Sequence, residues 1–142
     1  MIFDITIYSV GKNKESWLTE ALDEYVKRLK GTVKIQWVLL KNDEELENQV
    51  FLEKSWIALD PKGKVFSSEE FGKFLIKNIE LEKGKLQFVI GSSEGLTPKL
   101  RNGAKHLFSL SPLTFTHQLT RLVLLEQIYR ALQIHKNTPY HK

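Results

Sequence analysis

The residues with the most chemistry to offer lie in the last third of the chain. Ser109–His117 reads SLSPLTFTH. It is small, polar and broken by Pro112, which predicts a shaped loop after a strand. Ser111, Thr114 and the backbone N–H and C=O groups suit a purine edge and a ribose, with Leu113 and Phe115 as an apolar wall. Such a mixed lining is normal for a cofactor pocket. The closing residues Pro139-Tyr140-His141-Lys142 offer a stacking ring, an imidazole and a positive charge. Each feature has a plainer reading. His117 suits a helix start, Arg130 lies i,i+4 from Glu126 as in a structural ion pair, and a terminal tail is often frayed. His106 and His135 read as ordinary surface and helix-end residues.

Between loop and tail, a helix without Gly or Pro is predicted from about Gln118 to Lys136. Its apolar residues Leu119, Leu122, Val123, Leu124, Leu125, Ile128, Ala131, Leu132 and Ile134 lie nearly all round the axis. A helix apolar on all sides is buried on all sides. A chain of 142 residues has little protein with which to surround it. The expectation is a partner subunit and a site built at the interface.

The elements that must position these residues read as an alternation. Ile2–Val10 has strand period, and Trp17, Leu18, Ala21, Leu22, Tyr25, Val26 and Leu29 mark a helix over about Lys14–Lys30, with Gly31 as its cap. Val33–Leu40 is a second strand, followed by a short acidic helix carrying Leu46 and Val50. Trp56–Leu59 is a short strand that Asp60-Pro61-Lys62-Gly63 should end. Ser67 and Glu70 make a capping-box pattern. Leu86–Ile90 is a buried strand, Thr97-Pro98 opens a short helix to about Asn102, and Leu107–Leu110 is the last strand. This predicts one α/β domain over residues 1–142, with about five largely parallel strands and flanking helices. Ligands of such sheets sit off the carboxyl ends of the strands. Three loops belong there: Leu59–Gly63, Gly91–Leu96 and Ser109–His117. Gly91 and Gly95 fit neither a Rossmann fingerprint nor a P-loop, which disfavours dinucleotides and nucleoside triphosphates.

Composition narrows the class. Hydrophobic residues make up 42% and charged residues 27%, which excludes a disordered chain. There is no cysteine, hence no disulfide, thiolate metal site or cysteine nucleophile. The histidines show no metal-ligand spacing. No basic leader or membrane-length apolar run appears, so a cytoplasmic protein is expected, with no metal and no membrane. Net charge is +4, and from Leu96 onward seven Lys and Arg stand against Glu126 alone. That asymmetry favours a polyanionic partner such as nucleic acid.

Four segments carry a resemblance. FVIGSSEGL (Phe88–Leu96), SLSPLTFTH (Ser109–His117), EQIYRA (Glu126–Ala131) and PYHK (Pro139–Lys142) together resemble the large-subunit ribosomal RNA methyltransferase H family, of the SPOUT class. The resemblance covers the whole chain in length and order of elements. It implies a SPOUT-type fold with a C-terminal trefoil knot, a homodimer, and S-adenosylmethionine as methyl donor. The implied reaction is N3 methylation of a pseudouridine in 23S ribosomal RNA, within the assembled ribosome. By correspondence, the cofactor would contact Leu59, Gly91, Leu110, Ser111, Pro112, Leu113, Thr114 and Phe115. His117, Arg130, Tyr140 and His141 match positions linked to substrate binding and catalysis. Arg130 would then stabilise negative charge on the base, His117 or His141 would take its proton, and Tyr140 would stack. Two residues depart from the pattern. Ser92 stands in place of Gly and should narrow the approach of the cofactor, and Thr116 stands in place of Pro and should loosen the loop before His117. Two other functions are compatible with the residues: a non-catalytic RNA-binding module of ribosome assembly, and a SPOUT methyltransferase acting on transfer RNA.

Overall fold

The computed structural model describes residues 2–142. Strands and helices alternate along them: β1 (Phe3–Val10), α1 (Ser16–Leu29), β2 (Val33–Leu40), α2 (Asp43–Val50), β3 (Ile57–Val65), α3 (Ser68–Leu81), β4 (Lys85–Ile90), α4 (Pro98–Gly103), β5 (His106–Ser109) and α5 (His117–His135). The strands form one sheet in the order β2-β1-β4-β3-β5, with every pairing parallel. Parallel sheets need both faces covered, and the period-2 alternation supplies two apolar faces. Ile5, Ile7, Phe88, Ile90 and Phe108 pack with Leu18, Leu22, Phe71, Leu75, Leu124 and Ile128, from α1, α3 and α5. Tyr8, Ala58 and Val89 face the other way, onto Leu46 and Val50 of α2 and Leu100 of α4.

Local chemistry sets the helix starts. Asn42, Ser67, Thr97 and Thr116 each accept a backbone N–H of the first turn of α2, α3, α4 and α5. Ser67 and Glu70 complete the reciprocal capping box.

Two expectations are corrected. The residues Asp60-Pro61-Lys62-Gly63 do not end β3. They bulge out of it, and the strand resumes, so that both Leu59 and Lys64 pair with Phe108 of β5. An added Cβ at Gly63 would lie 2.6 Å from the Phe108 nitrogen. Only glycine permits that backbone approach. The second correction concerns α5. One chain surrounds much of it: Leu124, Leu125 and Ile128 are 0% exposed, packed against α1, α3 and the sheet. Apolar coverage of this helix is therefore not by itself a sign of a partner. What remains half-open is a stripe of Leu119, Val123, Glu126 and Arg130.

Candidate active site

At the carboxyl ends of β4 and β5 and the bulge of β3, beside the start of α5, lies a cleft of about 810 Å³. Of the residues singled out in the sequence, Leu59, Gly91, Leu110, Ser111, Leu113, Thr114, Phe115 and His117 line it. Pro112 sits in the same loop but off the lining. The lining is mainly apolar with a few polar groups, and its volume suits a small organic ligand. Leu113 is 74% exposed at the rim, a large apolar side chain that a bound ligand would cover.

The loop after β5 is shaped by its own serines. The Ser109 hydroxyl donates to the Ser111 carbonyl at 2.8 Å. The Ser111 hydroxyl accepts from the Leu113 N–H at 3.0 Å. Thr116 does not loosen the loop as expected. Its hydroxyl oxygen caps α5 by accepting the Leu119 N–H at 3.1 Å.

Gly91 is required by the backbone of its own loop. A Cβ there would lie 2.5 Å from the Gly95 carbonyl carbon and 2.6 Å from the Leu96 nitrogen. The loop folds back on Gly91, so the constraint is the loop's own backbone before any ligand arrives. Ser92, also on the lining, spends its hydroxyl on structure. It donates to Asp43 at 3.3 Å and accepts the Glu94 N–H at 3.3 Å.

An ion pair that sequence reasoning missed joins two of the three loops. Arg101 Nε donates to Asp60 Oδ2 at 2.6 Å, and Arg101 Nη2 donates to the Leu96 carbonyl at 3.3 Å. Asp60 lines the cleft and is buried. Burial pushes its carboxyl up, but the Arg101 and Lys62 N–H donors outweigh that and hold it below its ordinary value. The Asp-Pro turn chemistry hid its role.

His117 is the first residue of α5 and faces the cleft. Burial, then the Arg121 and Lys14 charges, lower its pKa. A helix N-terminus also disfavours imidazolium. The ring is thus neutral near pH 7 and able to accept a proton.

The remaining predicted site residues lie elsewhere. Arg130 follows His117 by thirteen positions along α5, a distance of roughly 20 Å at 1.5 Å per residue. Arg130 Nη2 pairs with Glu126 Oε2 at 2.8 Å, and the Tyr140 hydroxyl donates to the same carboxylate at 2.8 Å. The Arg130 guanidinium stacks over the Tyr140 ring at 4.9 Å, and Tyr129 meets that ring edge-on at 4.8 Å. Burial and the Glu126 carboxylate raise the Tyr140 pKa, so it stays a phenol. Arg130 Nη1 lies 2.9 Å from His141 Nδ1. Arginine can only donate, so Nδ1 accepts, and the proton sits on Nε2, which donates to Glu69 at 2.9 Å. The i,i+4 pair and the cluster of predicted site residues share the Glu126 carboxylate, and the tail is fastened at Tyr140 and His141, not frayed. In this arrangement His141 has no free lone pair.

Arg121 was the other omission. It is 0% exposed. Nε donates to Ser9 at 3.0 Å, Nη1 to Asn13 at 2.7 Å, and Nη2 to the carbonyls of Val10 and Gly11 at 2.7 and 2.8 Å. Burial alone lowers its pKa to about 10, so it stays charged. The available signal was an arginine in an apolar helix with no acid three or four residues away.

The described residues hold no cluster of His, Cys, Asp or Glu suited to a metal ion. No helix among them is long and apolar enough to cross a membrane. Comparison with known proteins accords with the geometry. Residues 3–141 match the family model described as predicted SPOUT methyltransferase. The chain is 47% identical over 138 residues to "Ribosomal RNA large subunit methyltransferase H" of Protochlamydia amoebophila, covering 97% of this chain and 98% of that one. It is 39% identical over 157 residues to the protein of the same name in Streptococcus thermophilus, covering 97% and 99%. Among solved structures, a probable methyltransferase from Bordetella pertussis superposes with a TM-score of 0.58 at 9% identity, over 90% of this chain and 95% of that chain. The SpoU methyltransferase AviRb of Streptomyces viridochromogenes, solved with AdoMet, gives 0.50 at 10% identity, over 94% and 58%. A sheet of this order, a cleft at the carboxyl ends of its strands and a relative nearly half identical from end to end agree, and the chain belongs to the SPOUT methyltransferase family.

Proposed function

We propose that this chain is an S-adenosylmethionine-dependent methyltransferase that acts as a homodimer on N3 of a pseudouridine in 23S ribosomal RNA, within the assembled ribosome. The observation that carries the reading is the cleft, which gathers eight of the predicted residues in a chain whose relatives are named for large-subunit ribosomal RNA. A fold neighbour's cofactor supports the choice of methyl donor. Leu59, Gly91 and the loop from Leu110 to Phe115 would hold it. Bound there, S-adenosylmethionine would supply a sulfonium methyl group for transfer to N3, with the neutral thioether S-adenosylhomocysteine as leaving group. His117, neutral and in the cleft, is the acceptor for the N3 proton. Arg130 and Tyr140 hold the base, one by charge and one by stacking.

The two halves of this site lie too far apart to meet in one chain. A twofold axis through the half-open stripe Leu119, Val123, Glu126 and Arg130 would run two α5 helices antiparallel. The tail cluster of one protomer would then face the cleft of its partner. This supports the dimer better than the apolar content of the helix does. We also read the path from β5 into α5 as a trefoil knot, a rare exception to unthreaded chains.

Methyl transfer to large ribosomal subunits, with modified nucleotides mapped by mass spectrometry, tests the function. A methylated pseudouridine is expected. Methyl transfer confined to transfer RNA, or none despite tight RNA binding, would overturn it.

A further inference from the structure

The chain has four arginines. Arg28, Arg101 and Arg130 each pair with a carboxylate. Arg121, the fully buried one, pairs with none among the described residues. Its donors go to neutral oxygens at the end of β1, in the following loop and on Gln118 of α5. Gln118 ties the same loop to α5 by donating to the Lys12 carbonyl at 2.9 Å. The loop so held presents Lys12 and Lys14, both exposed and both without an ion-pair partner among the described residues. Glu15, exposed on the same loop, reaches neither. Closing a β–α connection does not need a buried cation, and burying one without a counter-ion is costly. What such a cation adds is a positive field that no neighbouring carboxylate cancels.

The corner adjoins the cleft. Gly11 packs beside the His117 ring, at 3.9 Å from its Nε2 for an added Cβ, and Glu15 and Trp17 line the cleft's edge. Trp17 is 55% exposed.

We infer that the loop Gly11–Glu15 is an RNA-docking edge of the cleft, with Lys12 and Lys14 meeting backbone phosphates and Arg121 acting behind them as both anchor and fixed positive charge. The inference rests on the reading that RNA is the substrate. It adds which surface RNA approaches and which residues steer it there.

The test measures binding of purified large-subunit ribosomal RNA across a salt series, beside a titration with S-adenosylmethionine. Lys12→Gln/Lys14→Gln should weaken RNA binding about tenfold at low salt and flatten the salt slope by about 1.4, at roughly 0.7 per lost contact on single strands. Cofactor affinity should stay within about twofold. Lys34→Gln/Lys85→Gln, at the opposite ends of the strands, should change neither. Asn13→Asp separates anchor from charge, because it places a carboxylate on Arg121. It should weaken RNA binding about threefold while thermal stability holds or rises. Equal losses in the two lysine pairs, an unchanged slope, or loss of cofactor affinity instead of RNA affinity would overturn the docking edge. An Asn13→Asp protein with unchanged RNA affinity would reduce Arg121 to an anchor. These are binding readouts, so wild-type protein that binds RNA through this edge but transfers no methyl group would fail the function and leave the edge standing.

Discussion

His117 and Arg121 show how burial assigns roles to single residues. Burial holds the His117 imidazole neutral in the folded chain, while the unfolded chain protonates near its ordinary value of about 6.5. Between those two pKa values the unfolded state binds more protons, so stability falls as pH drops below about 6.5. His106 is shifted the same way by burial, so His117→Gln should remove part of the loss, not all of it. Urea midpoints at neutral and mildly acidic pH measure this, and an unaltered loss in the variant would contradict it. Arg121→Met poses the opposite problem. It leaves the Val10 and Gly11 carbonyls and the Asn13 amide without their donors. The cost should be on the order of 3 kcal/mol, since each abandoned buried group costs about 1–3. Equilibrium unfolding would read it directly.

At the scale of elements, alternation and capping residues were legible because they are local. The alternating Ile5 and Ile7 are at 0% exposure, and Ser67 and Thr97 cap as their types suggest. Two readings were not local. Asp60–Gly63 has turn chemistry, but whether a turn ends a strand depends on what lies beyond it. Here β5 pairs with both sides of the bulge. The surroundings of α5 depend on α1 and α3 sharing its face, which the helix's own sequence does not encode. Gly91–Leu96 and Ser109–His117 were legible as loops at the carboxyl ends of strands. The Asp60–Arg101 link from the β3 bulge to α4 was not, because it spans 41 residues. Leu125→Glu and Val123→Glu separate the two sides of α5. Leu125 is buried within its own chain, so the unpaired charge should cost several kcal/mol and prevent folding. Val123→Glu, on the half-open stripe, should instead leave a folded protein that sediments as a monomer. Monomers from both variants, or dimers from the second, would contradict this division.

For the whole molecule, charge asymmetry and site geometry have to be read together. The basic excess after Leu96 is only in part a free surface, since Arg101, Lys105 and Arg130 are paired and Arg121 is buried. The cleft and the Arg130–Tyr140–His141 cluster stand toward opposite ends of α5, and the proposed twofold assembly would let both meet one nucleotide. Removing Tyr140, His141 and Lys142 should abolish RNA methylation and leave cofactor binding nearly intact, because none of the three lines the cleft. Mixing variants gives the stricter check. Gly91→Val disables the cleft through the backbone clash at Gly95 and Leu96, and Arg130→Ala disables the tail cluster. Each homodimer should be inactive. A co-expressed mixture should regain about a quarter of wild-type activity. Half of the random dimers are mixed, and each mixed dimer holds one site with an intact cleft and an intact partner tail. If the tail served its own chain, every site in the mixture would lack one half, and no activity would return.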